Sequence, residues 1–287
     1  MKLIKFVQRK RALGDVLWIE PVLRLLARDY RFVVVNTLYA DLFKNYPLKN
    51  VYFRKNQHPL IKIVREISKA LFRSAGFLDL DNVYEKSPGM HILQAYFIAA
   101  GYPNETLTYP NIYPSVLHDN IKRKKNVVIH LSASSTQKNF RTIVGVDWVS
   151  IKNYFESCNI QVIGISDELS HENYYSEIVS PTIQELITII DNCDLFIGLD
   201  SGPSHIAASL KKKAIIFFGS VNPAYRHLMN EFTGKIIQNP CIYAGCYHEF
   251  FDSEKRKCLL VDDSVTAPCC RFTNEELLSA IESVQTF

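Results

Sequence analysis

Apolar and polar residues follow two patterns in this chain: short apolar runs of about five residues, and longer stretches whose apolar positions fall three and four apart. Leu3-Ile4-Lys5-Phe6-Val7 predicts a first strand, and a basic turn, Arg9-Lys10-Arg11-Ala12-Leu13-Gly14-Asp15, follows it. Val16, Leu17, Ile19, Val22, Leu23, Leu25 and Leu26 then take helical spacing. Strands are predicted at 31–36, 51–53 and 77–81, and a helix at 88–100 carrying His91, Tyr96 and Phe97 before Gly101-Tyr102-Pro103 stops it. The pattern lapses between Tyr109 and Lys125, where Pro110, Pro114 and the run Lys122-Arg123-Lys124-Lys125 stand. It resumes with a strand at 126–132, a helix around 146–156 and a strand at 160–165. A helix opened by the capping box Thr182-Ile183-Gln184-Glu185 follows, then strands at 194–199 and 214–219, and a final helix capped by Thr273 to Glu276. Alternation of this kind favours parallel sheets flanked by helices. Two such units predict an α/β protein with two Rossmann-like domains facing across a cleft, divided as 1–118, a linker at 119–125, and 126–287.

The richest chemistry lies where the strand 194–199 runs without a linker into a helix of small residues, Asp200-Ser201-Gly202-Pro203-Ser204-His205-Ile206-Ala207-Ala208. Pro203 suits the first turn of that helix, and Gly202 lets a ligand approach the backbone closely. Unsatisfied N–H groups at a helix start, beside the hydroxyls of Ser201 and Ser204, form a place for an anion, and His205 lies within its reach. An ordinary corner in which Asp200 or Ser201 only caps the helix is the plainer alternative. A second polar loop follows the strand 126–132. Its Ser132, Ser134, Lys138 and Arg141 are suited to cradling phosphate, the alternative being a hydrated surface loop. The turn Gly219-Ser220-Val221-Asn222-Pro223 offers backbone groups to a nucleotide's sugar or base. Gly14 and Asp15 stand at the first strand-to-helix junction, where Asp15 is either a helix cap or a base facing the cleft.

Composition narrows the class. The 287 residues are 47% hydrophobic and 22% charged, and no apolar run is long enough to span a bilayer. The N-terminus lacks the apolar core and cleavage site of a signal peptide, so a cytoplasmic protein is expected. A net charge of +4 suits an anionic ligand and falls short of a nucleic-acid signature. Neither half contains G-x-G-x-x-G or a Walker loop, which argues against dehydrogenases and P-loop enzymes. Five of the seven cysteines lie at or after Cys241. Cys241, Cys246, Cys258 and Cys269 (or Cys270) are enough thiolates for a tetrahedral structural metal, although no C-x-x-C pair is present and free thiols are the alternative. Cys158 and Cys193 adjoin apolar runs and are expected in the core.

In three segments the chain resembles the heptosyltransferase family of glycosyltransferases, glycosyltransferase family 9, which includes ADP-heptose:lipopolysaccharide heptosyltransferases. These are Leu13-Gly14-Asp15-Val16-Leu17 with Pro21-Val22-Leu23-Arg24, the loop Lys138-Asn139-Phe140-Arg141, and Gly198 to Ala208 continued by Phe218-Gly219-Ser220-Val221-Asn222-Pro223. The resemblance implies a GT-B architecture and an inverting transfer of a sugar, heptose foremost, from a nucleotide diphosphate such as ADP-heptose to a glycan or protein hydroxyl. It assigns the general base to Asp15. The leaving diphosphate would fall to Lys138, Arg141 and the helix start at Ser201–His205, with no catalytic metal required. Some heptosyltransferase-like proteins carry a C-terminal cysteine cluster that binds iron, so iron or zinc is the implied structural metal. The chain is shorter than expected for the family, which implies a trimmed acceptor domain. A degenerate nucleotide-sugar-binding protein, or an epimerase on the same fold, are the competing functions.

Overall fold

The computed structural model describes residues 2–55, 76–87, 89–114, 124–132, 141–166, 169–243, 245–249, 258–262 and 265–284. The chain divides into two compact units, Met1–Ser115 and Val116–Phe287.

In the first unit, strands β1 (Lys2–Gln8), β2 (Tyr30–Asn36), β3 (Val51–Arg54) and β4 (Phe77–Asp79) form one parallel sheet in the order β3-β2-β1-β4. Helices α1 (Leu13–Leu17) and α2 (Glu20–Asp29) connect β1 to β2, and Val22, Leu23, Leu25 and Leu26 of α2 are buried. Trp18, between the two helices, is fully buried against the rings of His91 and Tyr109, whose centroids lie 4.8 and 5.5 Å away. Helix α3 spans Ile92–Ala100, four residues shorter at its start than its apolar pattern predicts. His91 does not join it: its backbone is extended, and its Nδ1 accepts the Leu93 N–H at 3.1 Å, making it the cap. Gly101 takes a left-handed conformation (φ 89°) and ends the helix.

The second unit holds β5 (Asn126–His130), β6 (Gln161–Ile165), β7 (Glu177–Val179), β8 (Leu195–Leu199), β9 (Ala214–Phe218) and β10 (Gly234–Gln238), all parallel, in the order β10-β9-β8-β5-β6-β7. Helices α4 (Trp148–Ser157), α5 (Ile183–Asp191), α6 (Gly202–Ser209) and α7 (Asn274–Val284) complete it. Its core joins Val127, Ile129, Leu195, Ile197, Ile215 and Phe217 of the central strands to Trp148, Phe155, Leu277 and Ile281 of the helices. The expected capping box of α5 forms, with Glu185 accepting the Thr182 N–H at 2.8 Å. At the last helix, Thr273 and Glu276 exchange the same pair of bonds, at 2.8 and 3.2 Å.

Two strands escape the sequence pattern. β7 and β10 are the sheet's edges; β7 is three residues long and β10 is half exposed, so neither carries the continuous apolar run of a central strand. Gly234 opens β10 at φ 137°, where a Cβ would fall 2.0 Å from the Ala214 carbonyl oxygen. One cysteine also departs from expectation. Cys193 is buried, but Cys158 is exposed, because it lies just past the end of α4 rather than on its core face.

Candidate active site

Both units place their chemistry where the direction of strand succession reverses. In the second unit, β5 is flanked by β6 on one side and β8 on the other, so the chain leaves the ends of β5 and β8 in opposite directions. Parallel sheets hold their ligands at such a switch point, beyond the carboxyl ends of the strands. The turn Asp200–Ser201 and the start of α6 stand there, with Gly202 and Pro203 as the first helical residues. His130, the last residue of β5, pairs in register with Gly198, and a Cβ on Gly198 would meet the His130 carbonyl oxygen at 3.0 Å and the Phe196 ring at 2.9 Å.

The polar groups of this turn are largely committed to one another. Ser204 Oγ accepts the Ser201 N–H at 3.1 Å and donates to the Ser201 carbonyl at 2.6 Å, closing the first turn. Ser201 Oγ lies 3.1 Å from His130 Nδ1, tying the ends of β8 and β5 together. Asp200, almost fully buried, accepts from Arg141 Nη2 at 2.5 Å, and His205 Nε2 lies 3.6 Å from its other oxygen. His205 stacks on His227 with ring centroids 4.8 Å apart. Burial alone would raise the Asp200 pKa. The charges of Arg141, Arg226 and His205 outweigh it and hold the carboxyl well below the usual range. The half-buried Arg141 and the buried Arg226 thus both act on the Asp200 carboxylate beside the helix start.

Several expectations are refined here. Asp200 is an ion-pair partner of Arg141 rather than a helix cap, and the Ser201 hydroxyl faces His130. The Ser204 hydroxyl serves the turn itself. Ser132 is exposed just beyond β5, while Ser134 and Lys138 lie outside the described residues. Gly219 follows β9, its carbonyl accepting from Gln238 Nε2 at 3.0 Å. His130, Arg226 and His227 stand outside the motifs of the sequence and Tyr247 stands beside Cys246 of the cysteine cluster; only the fold brings the four to this turn.

In the first unit, β1 lies between β2 and β4, so β1 and β4 meet at the switch point of that sheet. Asp15 sits in α1, in its first turn but not at its cap, which is Ala12 in a left-handed conformation (φ 62°). Its Oδ2 accepts from Arg9 Nη2. Arg9 is also within 3.6 Å of Asp81 and 3.7 Å of Glu85, both beyond β4. Gln8 Nε2 donates to Asp81 at 2.9 Å, and the Lys10 N–H donates to the same carboxylate at 2.9 Å. A buried arginine thus fixes the Asp15 carboxylate at the crest of the sheet.

The C-terminal cysteines converge. Cys241, Cys246, Cys258 and Cys269 line one small pocket with Gly219, Ser220 and Tyr243, and Cys270 packs in the same cluster. None of the seven cysteines is in a disulfide. Soft thiol donors suit iron or zinc. Among the described residues, however, no three of the His, Cys, Asp and Glu side chains are arranged to hold a metal ion. No helix among them is long and apolar enough to cross a membrane.

Comparison with known proteins bears on the family and the fold. Residues 167–248 match the sequence model of glycosyltransferase family 9 (heptosyltransferase). Lipopolysaccharide heptosyltransferase 1 of Campylobacter coli is 31% identical over 135 residues, which are 40% of this chain and 37% of that protein. Lipopolysaccharide heptosyltransferase 3 of Escherichia coli K12 is 33% identical over 107 residues, 35% of this chain and 29% of the relative. The matches thus span well under half the length of these curated relatives. Among solved structures, the iron-containing dodecameric glycosyltransferase TibC of enterotoxigenic E. coli superposes with a TM-score of 0.69 at 14% identity, covering 99% of this chain and 77% of that one. E. coli ADP-heptose lps heptosyltransferase II gives 0.65 at 11% identity, covering 99% and 98%. The chain is therefore heptosyltransferase-like, with the glycosyltransferase family 9 pattern in its second unit and a GT-B fold of two Rossmann-like units.

Proposed function

We propose that this protein is a glycosyltransferase that moves heptose from ADP-heptose to an acceptor hydroxyl, with inversion at the sugar carbon. The observation that carries this reading is the helix start after β8: it stands at the switch point of a six-stranded parallel sheet, with the guanidinium groups of Arg141 and Arg226 both acting on the Asp200 carboxylate beside it. The family match and the names of the relatives supply the sugar and the nucleotide; TibC has itself been solved in complex with ADP-D-β-D-heptose.

The chemistry asks for few parts. As the bond from sugar to diphosphate breaks, negative charge grows on the leaving oxygen. The N–H groups at the start of α6, Lys138, Arg141 and the charge of Arg226 would stabilise that growth without a catalytic metal. Asp200 neutralises part of this cluster and holds Arg141 in place. Asp15, clamped by Arg9, would take the proton of the acceptor hydroxyl as the sugar carbon is attacked. The thiols of Cys241, Cys246, Cys258 and Cys269 have the chemistry for a structural iron or zinc that would take no part in the transfer, but they are not arranged to hold one here, so binding would require the segment to draw them together. Elemental analysis of the purified protein decides that point.

The acceptor is a glycan or protein hydroxyl. ADP at millimolar concentration should raise the melting temperature, and ADP-heptose should be consumed only when an acceptor is present. No thermal shift with ADP would remove the donor site. Consumption without acceptor would favour an epimerase, and binding without consumption a degenerate transferase.

A further inference from the structure

We propose that Tyr247 is a positioning residue for Arg141, through which the cysteine-bearing C-terminal segment shapes the donor-diphosphate site; the link to the donor rests on the function proposed above. A ring contact and three backbone hydrogen bonds join this segment to Arg141 and its surroundings. The Tyr247 ring, buried, lies with its centroid 5.6 Å from the Arg141 guanidinium carbon. The Tyr247 N–H donates to the Ser220 carbonyl at 3.3 Å, on the loop after β9 that Gln238 also fastens through the Gly219 and Val221 carbonyls at 3.0 and 2.9 Å. Val144 and the chain at 270–272 then exchange backbone bonds, Val144 N–H to the Cys270 carbonyl at 3.0 Å and Phe272 N–H to the Val144 carbonyl at 2.8 Å. The backbone after Arg141 and the face of its side chain are thus both held by residues from the cysteine-bearing segment.

The charge balance explains why a ring is needed. Arg141 and Arg226 both act on the Asp200 carboxylate, and the charge of Arg226 works against that of Arg141. An aromatic face offers a buried guanidinium a second, uncharged partner and leaves the positive charge of the helix start undiminished for an anion. An additional carboxylate at that place would cancel it. Tyr247 directly follows Cys246, and Cys246 lines the thiol pocket together with Gly219 and Ser220. Any change in the packing of those thiols is therefore passed to the ring by the adjoining peptide bond and by the Ser220 contact.

The test compares Tyr247→Phe, which keeps the ring, with Tyr247→Leu, which keeps bulk without it. The first measurement needs no nucleotide: the side-chain Nε–H resonance of Arg141 in the full-length labelled protein. In Tyr247→Phe it should keep the ring-current displacement of the wild type. In Tyr247→Leu it should lose that displacement and exchange with water about tenfold faster. An unchanged resonance in Tyr247→Leu overturns the positioning role. The second measurement is ADP affinity by calorimetry, expected to weaken about fivefold in Tyr247→Leu and to stay within about twofold in Tyr247→Phe. Equal affinity in all three proteins overturns the connection to the donor site. Absence of ADP binding by the wild type would refute the proposed function instead, and the resonance would still decide whether Tyr247 positions Arg141.

Discussion

Arg141 Nη2 lies 2.5 Å from Asp200 Oδ2, so the loop beyond β5 and the turn beyond β8 are joined by a nearly buried ion pair. Severing such a pair strands the remaining charge, and this costs more than the pair contributes. Asp200→Asn should lower unfolding free energy by about 3–5 kcal/mol, read as an earlier urea midpoint. A loss below about 1 kcal/mol would mean that water or another group already satisfies Arg141.

Asp15→Asn keeps the shape of the Arg9 contact and removes the group proposed to accept the acceptor's proton. Turnover of ADP-heptose should fall by about 10²–10⁴-fold, with ADP affinity unchanged because the proposed donor site is in the other unit. Full turnover in the variant would take the base role away from Asp15.

His227 gives a pH signature. Its burial, reinforced by the neighbouring charges of His205 and Arg226 and only partly countered by Asp200, keeps its pKa well below 6.5 in the folded protein. The unfolded chain binds a proton at this residue near pH 6.5 that the native state refuses. This stability is complete above about pH 6.5 and drains away on acidification, by about 1.4 kcal/mol per pH unit until the folded pKa is reached. His227→Gln should flatten the dependence between pH 7.5 and 5.5 in urea titrations. Parallel curves for the two proteins would show that other groups govern it.

Gly198 has no room for a methyl group between the Phe196 ring and the His130 carbonyl. Gly198→Ala should destabilise the protein by about 1–3 kcal/mol, as overpacking in a tight core does, and lower its melting temperature. An unaltered melting temperature would mean that the two strands separate there at no cost.

Much of this architecture was legible in the chain. β5, β8 and β9 are buried on both faces, so they read as unbroken apolar runs, and Thr182 and Glu185 announced the start of α5. The turn at Asp200–His205 was legible as well, because a strand passing directly into a Pro-containing helix start has few other interpretations. Strands β7 and β10 were not legible, since an edge strand is only partly covered and its polar positions break the run. Nor was the fate of the polar groups. Residue type offered Arg141 to a phosphate and Asp200 as a helix cap, but the fold brings these two together in an ion pair. His130 and Tyr247 reach this turn from about 70 and 45 residues away, a distance over which no local periodicity operates.

The strand order of the second unit carries a consequence for how the protein is made. β5 emerges from the ribosome before β6, β7 and α5, yet its other neighbour in the finished sheet is β8. Until β8 is synthesised and pairs with β5, one edge of the fully apolar Val127-Val128-Ile129 run lacks its final neighbour, and contacts between segments so distant in sequence form slowly. Nascent chains that stall between α4 and α5 will therefore be the species that needs a chaperone, and variants that weaken β8 will be lost to aggregation during synthesis before any defect in the proposed sugar transfer can be measured.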